Sequence, residues 1–131
     1  MTVNSRRKGK DGELGWVKFL KKFGFEARRG QQYSGASGDP DVVCPGLPRI
    51  HFEVKRTETL NPYKALEQAQ QDAVVGKMPV VAHRRNRKDW IVIMYADDYL
   101  EELTGRSGTE MSPAEQKRLE TSLMLMTTSG T

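Results

Sequence analysis

The sequence predicts an α/β protein in which a mixed central sheet is flanked by helices and followed by a helical C-terminal extension. Three observations predict it. Apolar residues recur at helical spacing over residues 11–23. Five short apolar or alternating runs follow, at residues 25–29, 41–44, 49–55, 78–83 and 90–95. Helical segments with start and stop signals separate and follow those runs. A chain of 131 residues is long enough for one domain with its own core. Residues 1–96 are expected to form that core, and residues 97–131 a helical extension of the same domain.

In the first segment Leu14, Trp16, Val17, Leu20 and Phe23 share one helical stripe, and Gly24 is a stop signal. Glu13 lies one turn before Val17 and so points toward the core side. The alternative is a first-turn acid wetted by solvent and favoured by the helix dipole. Residues 30–40, GQQYSGASGDP, are almost free of apolar side chains and read as a loop. Such a loop is either plain surface or a segment that orders on a ligand. Residues 41–44 and 49–55 read as strands joined by the turn PGLP. In the second strand Ile50, Phe52 and Val54 face one way, and His51, Glu53 and Lys55 the other. Asn61 caps a helix that has Pro62 at its first position and is expected to run to about Val75, ending at Gly76. Residues 84–89, RRNRKD, form the turn between the last two strands. A short helix is expected over residues 97–103. The pattern Ser112-Pro-Ala-Glu115 opens a final helix to about Met126, with Leu119, Leu123 and Met126 on one stripe expected to pack on the body, a partner subunit being the alternative use.

Charge is uneven. Residues 1–96 hold 18 basic against 10 acidic side chains, and residues 97–131 hold 3 against 7. A basic body with an acidic tail points to a polyanionic partner, nucleic acid above all. One cysteine, Cys44, excludes an internal disulfide and a multi-cysteine zinc site, and it is expected in a buried strand. No apolar run nears a membrane span of roughly 18 residues, and the basic N-terminus is not followed by an apolar stretch. A cytoplasmic, reducing compartment is expected, with no membrane partner.

The chemistry sits in the second and third strands. Glu53 and Lys55 are two apart and share a face. If residues 41–44 pair with them as a hairpin, Asp41 arrives beside Glu53. Two carboxylates and an amine then converge at one end of the sheet. Clustered acids repel, and a hard divalent cation such as Mg²⁺, taking oxygen ligands, relieves the repulsion. Glu13 supplies a third carboxylate if its helix lies alongside. A salt-bridged strand surface is the plain alternative to this site.

Pro40-Asp41 followed by Glu53-Val54-Lys55 resembles the PD-(D/E)xK nuclease motif. Upstream, KGKDGE at residues 8–13 and FLKKFGFEARR at 19–29 resemble the opening of archaeal and phage Holliday-junction resolvases, and Ser34-Gly35 sits where those proteins carry a loop serine. The resemblance spans roughly residues 7–95. It implies a restriction-endonuclease-like core and a metal-dependent endodeoxyribonuclease resolving four-way junctions as a homodimer. It also implies site roles. Asp41, Glu53 and the Val54 carbonyl bind Mg²⁺, or Mn²⁺ as substitute, and Glu13 completes the site. Lys55 acts on the attacking water and the phosphate. Ser34, with Ser37 competing for the match, holds phosphate or a metal water. Gln68 is the auxiliary glutamine, with Gln70 and Gln71 as other registers. Beside such a site Arg6, Arg7, Lys8 and Lys10, and Arg84, Arg85, Arg87 and Lys88, are expected to contact DNA phosphates. No aromatic residues interleave these two runs, so base stacking is not expected from them. His51 and His83 are expected to be packing or surface residues.

Overall fold

The structure is a computed structural model, and it describes residues 3–31, 39–105 and 113–129. The elements run α1 (Val3–Lys22), β1 (Arg28–Arg29), β2 (Val42–Val43), β3 (Ile50–Lys55), α2 (Pro62–Asp72), β4 (Met78–His83), β5 (Ile91–Ile93), α3 (Ala96–Thr104) and α4 (Pro113–Ser129). The five strands form one sheet in chain order. Among the described strands β3 and β4 pair in parallel, joined through α2, and the other neighbours are antiparallel. The expected mixed sheet flanked by helices is present.

One helix covers each face. Trp16, Val17 and Leu20 of α1 pack with Val42, Phe52, Val80 and Ala82. Ala65, Leu66 and Ala69 of α2 pack on Val81. Side chains alternate along a strand, so Phe52 on the α1 face puts His51, Glu53 and Lys55 on the α2 face. Val42 likewise faces α1, which turns its neighbour Asp41 toward α2. Every residue of β4 is buried, as suits a central strand covered on both sides.

Several boundaries differ from expectation. The first helix starts at Val3 rather than near Asp11. Arg and Lys are good helix formers, and a lone Gly9 costs only about 1 kcal/mol. It ends at Lys22, two residues short of Gly24 (φ +89°), which leaves Phe23 outside the helix and exposed. Leu14 is also off the buried stripe. The second helix stops at Asp72, not Val75. Val74 and Val75 are exposed and β-branched, so extending the helix through them would bury nothing. The outer strands are shorter than predicted, with β1 reduced to two residues and β5 to three.

The C-terminal stripe is a correction. Leu123 and Met124 are exposed and Leu119 is only half-buried. The side chain of Met126 lies outside the described residues. Among the described side chains of α4 the buried one is Arg118, which pairs with the buried Asp98 of α3. Among the described side chains, ion pairs join α4 to α3: Arg118 with Asp98, and Lys117 with Asp97 at 3.2 Å. A buried charge needs its partner, because its lost hydration is otherwise uncompensated.

Two glycines position the acids. A Cβ on Gly12 would lie 2.6 Å from the Arg56 Cβ, so only glycine lets α1 press against the exit of β3. A Cβ on Gly30 would overlap the Pro40 carbonyl oxygen. Gly30 and Asp41 are joined there by an N–H···O bond of 2.9 Å. That contact, with the Asp39 N–H bonded to the Gln31 carbonyl at 3.1 Å, delivers Asp41 to the edge of β3.

Candidate active site

Asp41 enters the site through its backbone and its carboxylate together. Its N–H donates to the Phe52 carbonyl at 3.1 Å. Its Oδ2 accepts from the Val54 N–H at 2.9 Å. The expected hairpin forms, with Val42 opposite Phe52, and it brings Asp41 and Glu53 into direct interaction. Glu53 is 9% exposed and His51 4% exposed. His51 Nε2 lies 3.0 Å from Glu53 Oε1.

Burial and crowding dominate the electrostatics. Desolvation pushes the Asp41 carboxyl up to about 7, and the neighbouring Glu53 charge adds to the rise. Desolvation likewise raises Glu53 to about 7, with Asp72 adding to the rise. The two acids lie close enough to share a proton, so they titrate as a pair. Lys55 lies near enough to favour the charged form of both. Its ammonium makes no ion pair within salt-bridge distance among the described residues.

Glu13 reaches the same end of the sheet from α1. Burial raises its pKa first, and the Asp41 charge raises it further. Its Oε1 accepts from Arg29 Nε at 2.9 Å. The inward reading of Glu13 is thus the one the structure shows, at the edge of the cluster and tethered by a cation. Arg29 was not among the residues predicted. Its only signal in the sequence is its place at the end of a strand candidate that must run beside the first helix.

Asp72 was also missed. It closes α2, and its carboxyl interacts with that of Glu53. An acid in a last helical turn opposes the dipole, a cost of about 0.3–1 kcal/mol, and that misplacement is the signal a sequence carries. Gln68 is exposed on α2, one turn before Asp72. Ser34 and Ser37 lie outside the described residues, as does most of the loop that carries them.

The donors are all oxygens, the set a hard divalent cation takes. Among the described residues no three such side chains already stand at ligating positions. Glu13 pairs with Arg29, and the crowding of Asp41 and Glu53 favours the protonated form of that pair. Linkage then predicts how stability depends on pH in chelator. Carboxyl groups raised to about 7 in the fold bind protons that the unfolded chain gives up near 4. Stability is therefore present below about pH 4 and falls as pH rises toward 7, by up to about 1.4 kcal/mol per pH unit for each proton bound. His51, whose pKa burial lowers, works against this below about 6.5, its reference value. With two carboxyls against one imidazole, melting temperature in EDTA should drop from pH 5 to pH 8. Added Mg²⁺ should stabilise more at pH 8 than at pH 5.

The two basic runs take different places. Arg7, Lys8 and Lys10 are exposed on the first half of α1, and Arg6 lies in the same helix. The turn after β4 sits next to the acids' strand, because the Arg84 N–H donates to the Lys55 carbonyl at 3.2 Å. Arg84, Arg85 and Lys88 line a cleft of about 450 Å³ with Leu60, Pro62 and Ile91. The turn is therefore adjacent to Lys55, although some 30 residues separate them in the chain. Both histidines are buried, and His83 Nε2 bonds the Thr57 carbonyl at 2.9 Å. Cys44 is buried as expected.

No helix among the described residues is long and apolar enough to cross a membrane. The chain matches no protein-family model, and no curated protein matches it.

Proposed function

We propose that this protein is a Mg²⁺-dependent endodeoxyribonuclease with a restriction-endonuclease-like core, cutting four-way DNA junctions as a two-fold homodimer. The observation that carries the reading is the convergence of Asp41, Glu53 and Lys55 at one end of the sheet, with Glu13 approaching from α1. A site that lifts two carboxyls to about 7 loses stability at neutral pH unless a cation is held there. A dead copy of the fold has no use for that cost, which argues against a purely DNA-binding module.

When bound, the metal polarises a phosphate oxygen and acidifies its water. Asp41 and Glu53 would hold it through carboxylate oxygens, with the Val54 carbonyl and Glu13 beside them. The Val54 N–H keeps the Asp41 carboxylate turned toward the site. Lys55 places a free ammonium beside the scissile phosphate, where it orients water and favours the more negative transition state. A four-way junction needs two symmetric nicks, and a two-fold dimer presents two equal sites.

The test is a cutting assay on a synthetic four-way junction, a flap and a linear duplex of matched sequence, with Mg²⁺ and with EDTA. Symmetric nicks on the junction alone support the full reading. Equal cutting of all three shifts it to a nuclease for flaps, damaged DNA or foreign duplex. No cutting of any DNA with Mg²⁺ or Mn²⁺ overturns it.

The turn after β4 is the phosphate clamp in this reading. Replacing Arg84, Arg85, Arg87 and Lys88 with alanine should flatten the plot of log affinity against log salt by about 0.9 per lost contact on duplex DNA. The loss should be similar for every sequence tested. Because Arg84 adjoins Lys55, cleavage at saturating protein should also fall modestly. An unchanged salt slope would make the turn a solvated hairpin end.

A further inference from the structure

We propose that the outer side of α1 is a second nucleic-acid contact, one that takes an unpaired stretch of strand through its phosphates and one stacked base. A groove of about 840 Å³ runs between the second half of α1 and the residues around Trp90. Lys18, Lys21 and Lys22 line it from α1, and Arg84 lines it from the opposite side. The three lysines stand at i, i+3 and i+4 on one helical face, where like charges repel. All three are exposed, and none has an acidic partner among the described residues. Asp89 is the one acid lining the groove.

Phe19 and Trp90 are the rings that line it, and further rings adjoin them on either side. Trp16, buried, stacks on Phe19 with centroids 5.4 Å apart and meets Trp90 at 5.1 Å. Phe19 meets Phe23 at 5.1 Å, and Phe23 is 66% exposed. A row of rings thus leads from the core to an open face beside lysines. The Arg84 guanidinium carbon stands 6.0 Å from the Trp90 ring centroid. Gly15 lets the indole lie against the helix, since a Cβ there would be 3.3 Å from Trp90 Cζ2.

Cations beside an exposed ring are the means by which proteins hold single strands without reading sequence. Double-stranded DNA offers the phosphates but keeps its base faces stacked, so the ring selects an unpaired strand. Arg84 lines both this groove and the cleft of the β4–β5 turn, so the two basic clefts adjoin. The inference shares with the nuclease reading only the nucleic-acid partner, and binding needs no metal.

The test is fluorescence anisotropy in EDTA with a labelled oligo-dT strand and a labelled duplex of equal length. Phe23→Ala should weaken oligo-dT binding about tenfold, the loss of one stacked base, and leave duplex binding within about twofold. Phe23→Tyr should restore it. The triple change Lys18→Ala, Lys21→Ala and Lys22→Ala should flatten the salt slope for oligo-dT by about 2, at about 0.7 per phosphate. These positions are exposed, and matched melting temperatures will show that the fold is kept. Unchanged oligo-dT binding in Phe23→Ala, or equal losses on strand and duplex, overturns the stacking surface. An unchanged slope in the lysine variant overturns the phosphate contact. Failure of Mg²⁺-dependent cutting alongside these binding losses would remove the nuclease reading and leave this one standing.

Discussion

Asp41→Asn should abolish Mg²⁺-dependent cleavage while junction binding stays intact or tightens. The substitution removes a charge that would hold the cation and that also repels phosphate. Glu53→Gln should do the same. The second readout is stability. In wild-type protein at pH 8 the cluster is forced toward ionisation against a preference for a proton up to about 7. An amide at position 41 has no charge to desolvate. The metal-free variant should therefore melt higher than wild type at pH 8, and the gap should close at pH 5, where the wild-type carboxyl is protonated. The amide can still accept from the Val54 N–H that Asp41 uses, so the hairpin is kept. A variant that cuts at the wild-type rate would sink the metal-site assignment. A melting temperature lowered equally at both pH values would show that position 41 matters only for packing.

Lys55→Ala should slow cleavage by about 10²–10³, the scale of losing one preorganised charge opposite a developing anion. Metal affinity should change little, because the ammonium acts on phosphate and water. Calorimetry with Mn²⁺ reads that affinity separately. The structure adds a constraint. Lys55 favours the charged forms of Asp41 and Glu53, so its removal should raise the pH at which the pair ionises. The pH–rate profile should then shift upward, a change that lost packing would not produce. Metal binding abolished with chemistry only weakened would reassign Lys55 to holding the ligands.

The pattern of this sequence determines its local structure and much of the candidate site's layout. Alternation in residues 50–55, the Asn61-Pro62 cap and the all-apolar character of 78–82 correctly mark β3, the start of α2 and β4, because each signal is a property of neighbours in the chain. The Asp-to-Glu spacing across a short turn is likewise local, so the approach of Asp41 to Glu53 is legible. What the tertiary structure alone decides is what meets across the sheet. Glu13 turns toward the acids because Gly12 lets α1 press on β3, and Arg29 then catches it. Asp72, the last residue of α2, meets Glu53 across the fold, and the helix ends there because Val74 and Val75 have nothing to bury against. The exposed leucine and methionine of α4, and the buried Arg118 that replaces them, follow the same rule. Periodicity tells which residues share a face, but not whether another element covers that face. Burial, and with it the pKa of every acid in the cluster, depends on that cover, which comes from residues distant in the chain.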